Sequence, residues 1–137
     1  MRVLGIDFGL KRVGLAVTDP GGSMAFPRPA ITRGTRDELF SALLRVIETE
    51  DVERIVVGLP LAMDGSETET TRQARNFAER LARRTPLPIE FMDERLTSVE
   101  AESRLKEAGL CGKKRKSQLD SQAAVIILEA WLATSPS

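Results

Sequence analysis

The hydrophobic positions change period along the chain. Up to Thr32 they fall in short blocks broken by tight polar turns: Arg2–Phe8 and Val13–Thr18 read as strands joined around Gly9–Arg12, and Ala25–Thr32 as a third. Pro27 and Pro29 cannot donate to a ladder, which suits that third strand to a sheet edge. Connections this short predict antiparallel pairing of the three. Beyond Thr32 the period becomes helical. Thr35 with Glu38 has the capping-box pattern and opens a helix whose stripe is Leu39, Phe40, Leu43, Leu44 and Ile47. Arg54–Gly58 is an apolar strand stopped by Pro60. A polar loop through Asp64-Gly65-Ser66 then leads to a helix with Ala74, Phe77, Ala78, Leu81 and Ala82 at helical spacing. Ile89–Met92 is the last predicted strand. Thr97 with Glu100 caps a helix ended by Gly109; a loop carrying Lys113–Lys116, loosened by Gly109 and Gly112, follows, and Ser117 opens a final helix to about Trp131.

The predicted order is βββ, αβ, αβ, α, α. It implies an α/β fold with a mixed five-stranded sheet, three antiparallel strands plus two parallel ones, and helices on both faces. The expectation is a single domain over residues 1–137, with 133–137 a frayed tail.

Composition narrows the chemistry. The 137 residues are 42% hydrophobic and 29% charged with zero net charge, so contact with a polyanion must come from local clustering of bases. There is no histidine, which excludes Ser-His-Asp and Cys-His mechanisms and leaves acid and base work to Asp, Glu, Lys or a metal-bound water. One cysteine, Cys111, forms neither an internal disulfide nor a zinc site. No apolar run approaches a membrane span and no leader pattern precedes the first strand; the expectation is a cytoplasmic protein.

Three carboxylates occupy places where carboxylates need explaining. Asp7 ends an apolar strand on which Val3, Gly5 and Asp7 share one side; Gly5 is expected to leave space there for a metal or phosphate. Its ordinary structural role would be to begin the Gly9 bend. Glu94 follows the last strand, at the carboxyl end where ligands of open α/β sheets gather, although it also suits a solvated approach to the Thr97 cap. Asp120 completes a capping-box pattern with Ser117. It also shares a helical face with Ala123, Ala124, Ile127 and Trp131, a buried stripe that a capping role does not explain. Together these hard oxygen donors suit Mg²⁺ or Mn²⁺, and a pair of such ions supports phosphodiester hydrolysis without histidine. Basic residues flank the same places: Lys11 and Arg12 after Asp7, Arg95 after Glu94, and Lys113, Lys114, Arg115 and Lys116 before Asp120. Solvated turns account for such residues individually; their placement favours contact with a phosphate backbone. Aromatic side chains are scarce and fall mostly on core stripes, so extensive base stacking is not expected.

Four segments resemble the YqgF/RuvX family: Gly5-Ile-Asp-Phe-Gly-Leu-Lys-Arg-Val-Gly14 with Asp19, Val57-Gly-Leu-Pro60 with Asp64-Gly-Ser66, Asp93-Glu-Arg-Leu-Thr97, and Leu119-Asp-Ser-Gln-Ala-Ala124. They stand in family order across nearly the whole chain. The resemblance implies a ribonuclease H-like fold related to Holliday junction resolvases, and metal binding by Asp7, Glu94 and Asp120. It further implies a nuclease that processes the 5′ end of pre-16S ribosomal RNA in ribosome biogenesis, with precursor rRNA, and by extension ribosomal particles, as partners. The rivals are a junction resolvase acting on branched DNA, which would need a dimer to cut two symmetric strands, and a non-catalytic ribosome-assembly or nucleotide-binding module.

Overall fold

In a computed structural model, the backbone is described for residues 1–94 and 112–134, and side chains for 1–94 and 121–134. The elements in chain order are β1 (Val3–Phe8), β2 (Arg12–Thr18), β3 (Ala25–Thr32), α1 (Arg36–Thr49), β4 (Arg54–Leu59), α2 (Glu69–Ala82), β5 (Ile89–Asp93) and α3 (Gly112–Thr134). The strands form one five-stranded sheet in the order β3-β2-β1-β4-β5. β2 pairs antiparallel with β1 and β3, while β4 pairs parallel with β1 and β5, as the strand spacing predicts. β3 lies at the edge, where the missing amide donors of Pro27 and Pro29 leave no central ladder broken.

β1 and β4 are buried nearly throughout because helices cover both sheet faces. On one face Leu4, Ile6, Phe8, Val13 and Leu15 pack against Leu39, Phe40 and Leu43 of α1 and Phe77, Ala78 and Leu81 of α2. On the other, Val3, Ala16 and Val56 meet Ala124, Ile127, Leu128 and Trp131 of α3. The two faces are the two parities of the strand pleat. Ala82 departs from the expected α2 stripe and is exposed, one residue past the last full turn of buried positions.

Both caps are local. Thr35 accepts a hydrogen bond from the Glu38 amide (3.1 Å), and Thr68 and Thr71 make a reciprocal capping box that the residue pattern does not advertise. Thr71 also donates to the Pro60 carbonyl, tying the start of α2 to the end of β4.

Three expectations change. The stretch containing Lys113–Lys116 is the start of α3, not a loop: lysine, arginine, glutamine and leucine are good helix formers, and Gly112 sits at the end of the helix. Ser117 and Asp120 therefore lie inside the helix rather than at the start expected for it. Ala133 and Thr134 belong to α3 as well, with the Thr134 hydroxyl donating to the Trp131 carbonyl at 3.1 Å. Gly5 is not open space. A Cβ there would lie 2.5 Å from Leu128 Cγ and 3.1 Å from the Ala124 carbonyl oxygen, so the glycine admits α3 rather than a ligand. The helix expected between Thr97 and Gly109 lies outside the described residues.

Candidate metal centre

The parity that builds the α3 face also gathers the carboxylates. On β1 it carries Val3, Gly5 and Asp7. On β5 it carries Glu90, whose carboxylate accepts from Trp131 Nε1 (3.2 Å), then Met92, which packs against the α3 cluster, and continues just past the strand to Glu94. The Glu94 amide donates to the Leu59 carbonyl at 3.2 Å, which holds the first residue beyond β5 in register. Between the two strands runs β4, and Ile6 pairs with Val57, so Gly58 is level with Asp7.

Gly58 makes the site. A Cβ at this position would collide with Glu94 Oε2 and the Ile127 methyl, so the Glu94 carboxylate lies over bare backbone, beside Asp7. The two carboxyl groups share a hydrogen bond. Burial, then the Asp7 charge and that hydrogen bond, push the Glu94 carboxyl up to about 10, with Asp93 adding a smaller repulsion. Glu94 Oε2 is buried and accepts no hydrogen bond from the protein. A buried carboxylate oxygen with no donor, beside a second carboxylate, is costly unless a cation or a proton occupies the gap. The donor set is all oxygen, which suits a hard divalent cation. Among the described residues no three metal-ligating side chains form a group. Asp120 lies in α3 one turn before Ala124, and its side chain is outside the described residues.

Sequence reasoning passed over Gly58 except as part of a motif. Its signal is a glycine inside an otherwise apolar strand, which marks a close approach. Gly58→Ala is expected to displace the Glu94 carboxylate: a fall in divalent-cation affinity of about tenfold or more by calorimetry, in a protein that still melts cooperatively, would show it. Unchanged cation affinity would place the ion elsewhere.

Lys11 and Arg12 lie at the same end of the sheet as Asp7. Lys11 is an exposed turn residue; Arg12 opens β2 two positions before Gly14, the partner of Asp7, and so shares its face. Arg95 lies outside the described residues. Lys113, Lys114, Arg115 and Lys116 occupy the start of α3, and their side chains are not among those described. Two acidic motif residues have structural jobs. Asp19 caps the β2–β3 turn through the amides of Ser23 (2.7 Å) and Met24 (2.8 Å), which hold its carboxyl down to about 2. Asp64 accepts from the Ser66 amide (2.9 Å) and hydroxyl (2.7 Å) across a turn whose Gly65 has φ of 90°.

Comparisons with known proteins bear on the family and the fold. The family model described as "RuvX: Holliday junction resolvase" matches residues 1–134. A protein of Maridesulfovibrio salexigens named "Putative pre-16S rRNA nuclease" is 62% identical over 97% of this chain and 98% of its own length. Among solved structures, T. thermophilus RuvC in complex with Holliday junction substrate superposes with a TM-score of 0.61 at 17% identity, covering 98% of both chains. Fowlpox virus resolvase, in complex with substrate Holliday junction DNA, gives 0.59 at 6% identity over 98% of both chains. At such identities the likeness is one of fold: the sheet is of the ribonuclease H-like kind found in these resolvases.

Proposed function

The chain belongs to the RuvX family, and from that premise we propose that it is a metal-dependent nuclease that trims the 5′ end of pre-16S ribosomal RNA. The observation that carries the reading is the buried Glu94 oxygen without a donor, held over Gly58 beside Asp7. Asp7 and Glu94 would hold Mg²⁺ or Mn²⁺, with Asp120 as a third ligand. The bound ions, two in the proposed mechanism, would supply activation of a water and stabilisation of the leaving oxygen in phosphodiester hydrolysis.

The chain's own residues do the rest. The β1–β4–β5 ladder fixes Asp7 and Glu94 on rigid strand ends, so neither carboxylate must be ordered on binding. Burial of Glu94 favours its proton over its charge until a cation arrives, which couples cation binding to proton release. Arg12 and Lys11 lie where a phosphate backbone crosses the end of β1, and the basic start of α3 adds charge of the same sign. The names of the relatives favour precursor rRNA. The family description favours branched DNA, which makes junction resolution the second reading. Work on this substrate would place the chain in the cytoplasm beside ribosomal precursor particles; no helix among the described residues is long and apolar enough to cross a membrane.

The test is cleavage of a 5′-extended 16S precursor RNA and of a four-way DNA junction by purified protein with Mn²⁺ or Mg²⁺. Cutting of the RNA and not the junction is the expected result. Cutting of the junction alone would replace RNA trimming with junction resolution. RNA binding without cutting of either substrate would make the chain a non-catalytic assembly module.

A further inference from the structure

On the opposite sheet face from the carboxylates, α1, α2 and the end of β1 enclose a cavity of about 400 Å³, a size typical of ligand sites. Phe8, Arg33, Arg36, Gln73, Asn76 and Arg80 line it. The arginines here differ from others on α2 and at its C-terminal end. Arg72, Arg75 and Arg83 are each neutralised by a glutamate at 2.6–3.0 Å. Among the described residues neither Arg36 nor Arg80 has a carboxylate partner. Arg33 lies over the Phe8 ring at 4.6 Å and donates to the Gly9 and Leu10 carbonyls at 3.2 Å each, so its charge too is uncompensated by an anion. Three arginines line this one concavity, with the Glu38 carboxylate beside Gly34 as the acidic group near it, and leave a net positive charge that a polyanion would neutralise. Gln73 and Asn76 add neutral amide donors.

The cavity is also joined to the proposed catalytic end by the chain itself. Phe8 follows Asp7 directly and points to the other side of the same strand, and Arg33 braces the turn that follows them. We propose that this cavity is a second nucleic-acid subsite, in which Arg36 and Arg80 bind phosphates of the substrate strand away from the bond that is cut. It rests on the nuclease reading and deepens it: a strand passing over the β1–β2 turn would be held on both sheet faces, which favours a flexible single strand over a stiff duplex. Phe8 is buried beneath Arg33, so the site recognises backbone rather than a stacked base.

The experiment is fluorescence anisotropy of a labelled single-stranded RNA oligonucleotide, without divalent cation, across a salt series. The proteins are the parent, Arg36→Gln, Arg80→Gln and Arg45→Gln, the last removing an α1 charge that lies outside the cavity. Each cavity variant is expected to bind on the order of tenfold more weakly and to reduce the slope of log affinity against log salt by about 0.7; Arg45→Gln should track the parent. Arg36 is exposed, so its substitution leaves the fold in place. Equal losses in all three variants would reduce the effect to net charge and overturn the subsite. So would parental affinity and slope in the cavity variants, or displacement of the RNA by equimolar adenosine monophosphate, which would indicate a small-nucleotide pocket. If the parent itself binds no RNA or DNA, the nuclease reading fails, an outcome distinct from those.

Discussion

Asp7→Asn is expected to lose metal-dependent cleavage by on the order of a hundredfold or more, and yet to leave the metal-free protein more stable than the parent above about pH 10, where Glu94 is ionised as well. The first effect follows from removing a charged group from the proposed metal centre; in metal sites even residues behind the ligands are worth about 10–100-fold. The second follows from the same charge. In the absence of a cation, Asp7 is a like-charge neighbour of a buried carboxyl group and contributes to pushing Glu94 up to about 10. Asparagine keeps the shape and a hydrogen-bonding oxygen but removes the repulsion that sets in once Glu94 loses its proton. A site that sacrifices stability to gather like charges for a cation gives opposite signs for activity and stability in one variant. Single-turnover cleavage with Mn²⁺, and thermal unfolding in chelator at about pH 10.5, measure the two. Retained cleavage would take Asp7 out of the metal centre. A lower melting temperature in chelator would mean that its carboxylate serves the turn instead. That outcome is not expected, because the turn is closed by its own backbone, Gly9 amide to Arg12 carbonyl at 3.0 Å.

The second large effect is a pH-dependent stability that a divalent cation should abolish. A carboxyl group whose folded value lies near 10 against about 4.5 when unfolded keeps its proton in the native state across that interval while the unfolded chain has lost it. Stability therefore falls as pH rises from about 5 to about 10, by up to ~1.4 kcal/mol per pH unit from this group. Below about pH 4.5 both states are protonated and the penalty vanishes. Saturating Mg²⁺ or Mn²⁺ would hold Glu94 ionised and reduce the slope, so stabilisation by metal should be small at pH 5 and large at pH 9. Urea unfolding over this range, with chelator and with metal, is the measurement. Superimposable curves would show that the cation does not bind beside Glu94. Glu94→Gln should flatten the chelator curve by removing the titration itself.

The architecture was legible because its determinants are local. The change from strand blocks to helical stripes, the prolines of β3 and the Thr35 cap each act within a few residues, and together they specify the sheet and its two covered faces. Pleat parity correctly put Asp7 with Val3 and Gly5 on one side. The α3 stripe of Ala123, Ala124, Ile127 and Trp131 is buried as periodicity requires. The misjudged boundary at Lys113–Lys116 has a local cause too. A basic run beside glycines has the composition of a loop, but its residues are strong helix formers and extend α3 back to Gly112.

The sequence by itself thus determined the fold class, the antiparallel pairing of the first three strands by way of connection lengths, and the identity of Asp7 and Glu94 as carboxylates at strand ends. The tertiary structure decided what lies between them. Gly5 and Gly58 are both glycines within apolar strands, and nothing in their neighbours distinguishes one from the other. Only the crossing of α3 shows that Gly5 admits the helix alone while Gly58 admits the Glu94 carboxylate together with the Ile127 methyl. The arginines at positions 33, 36 and 80 are likewise dispersed along the chain, and become a cluster only where α1 and α2 dock on the sheet. Both are products of packing between elements distant in sequence, where excluded volume and unshared charge are set by neighbours that no local pattern records.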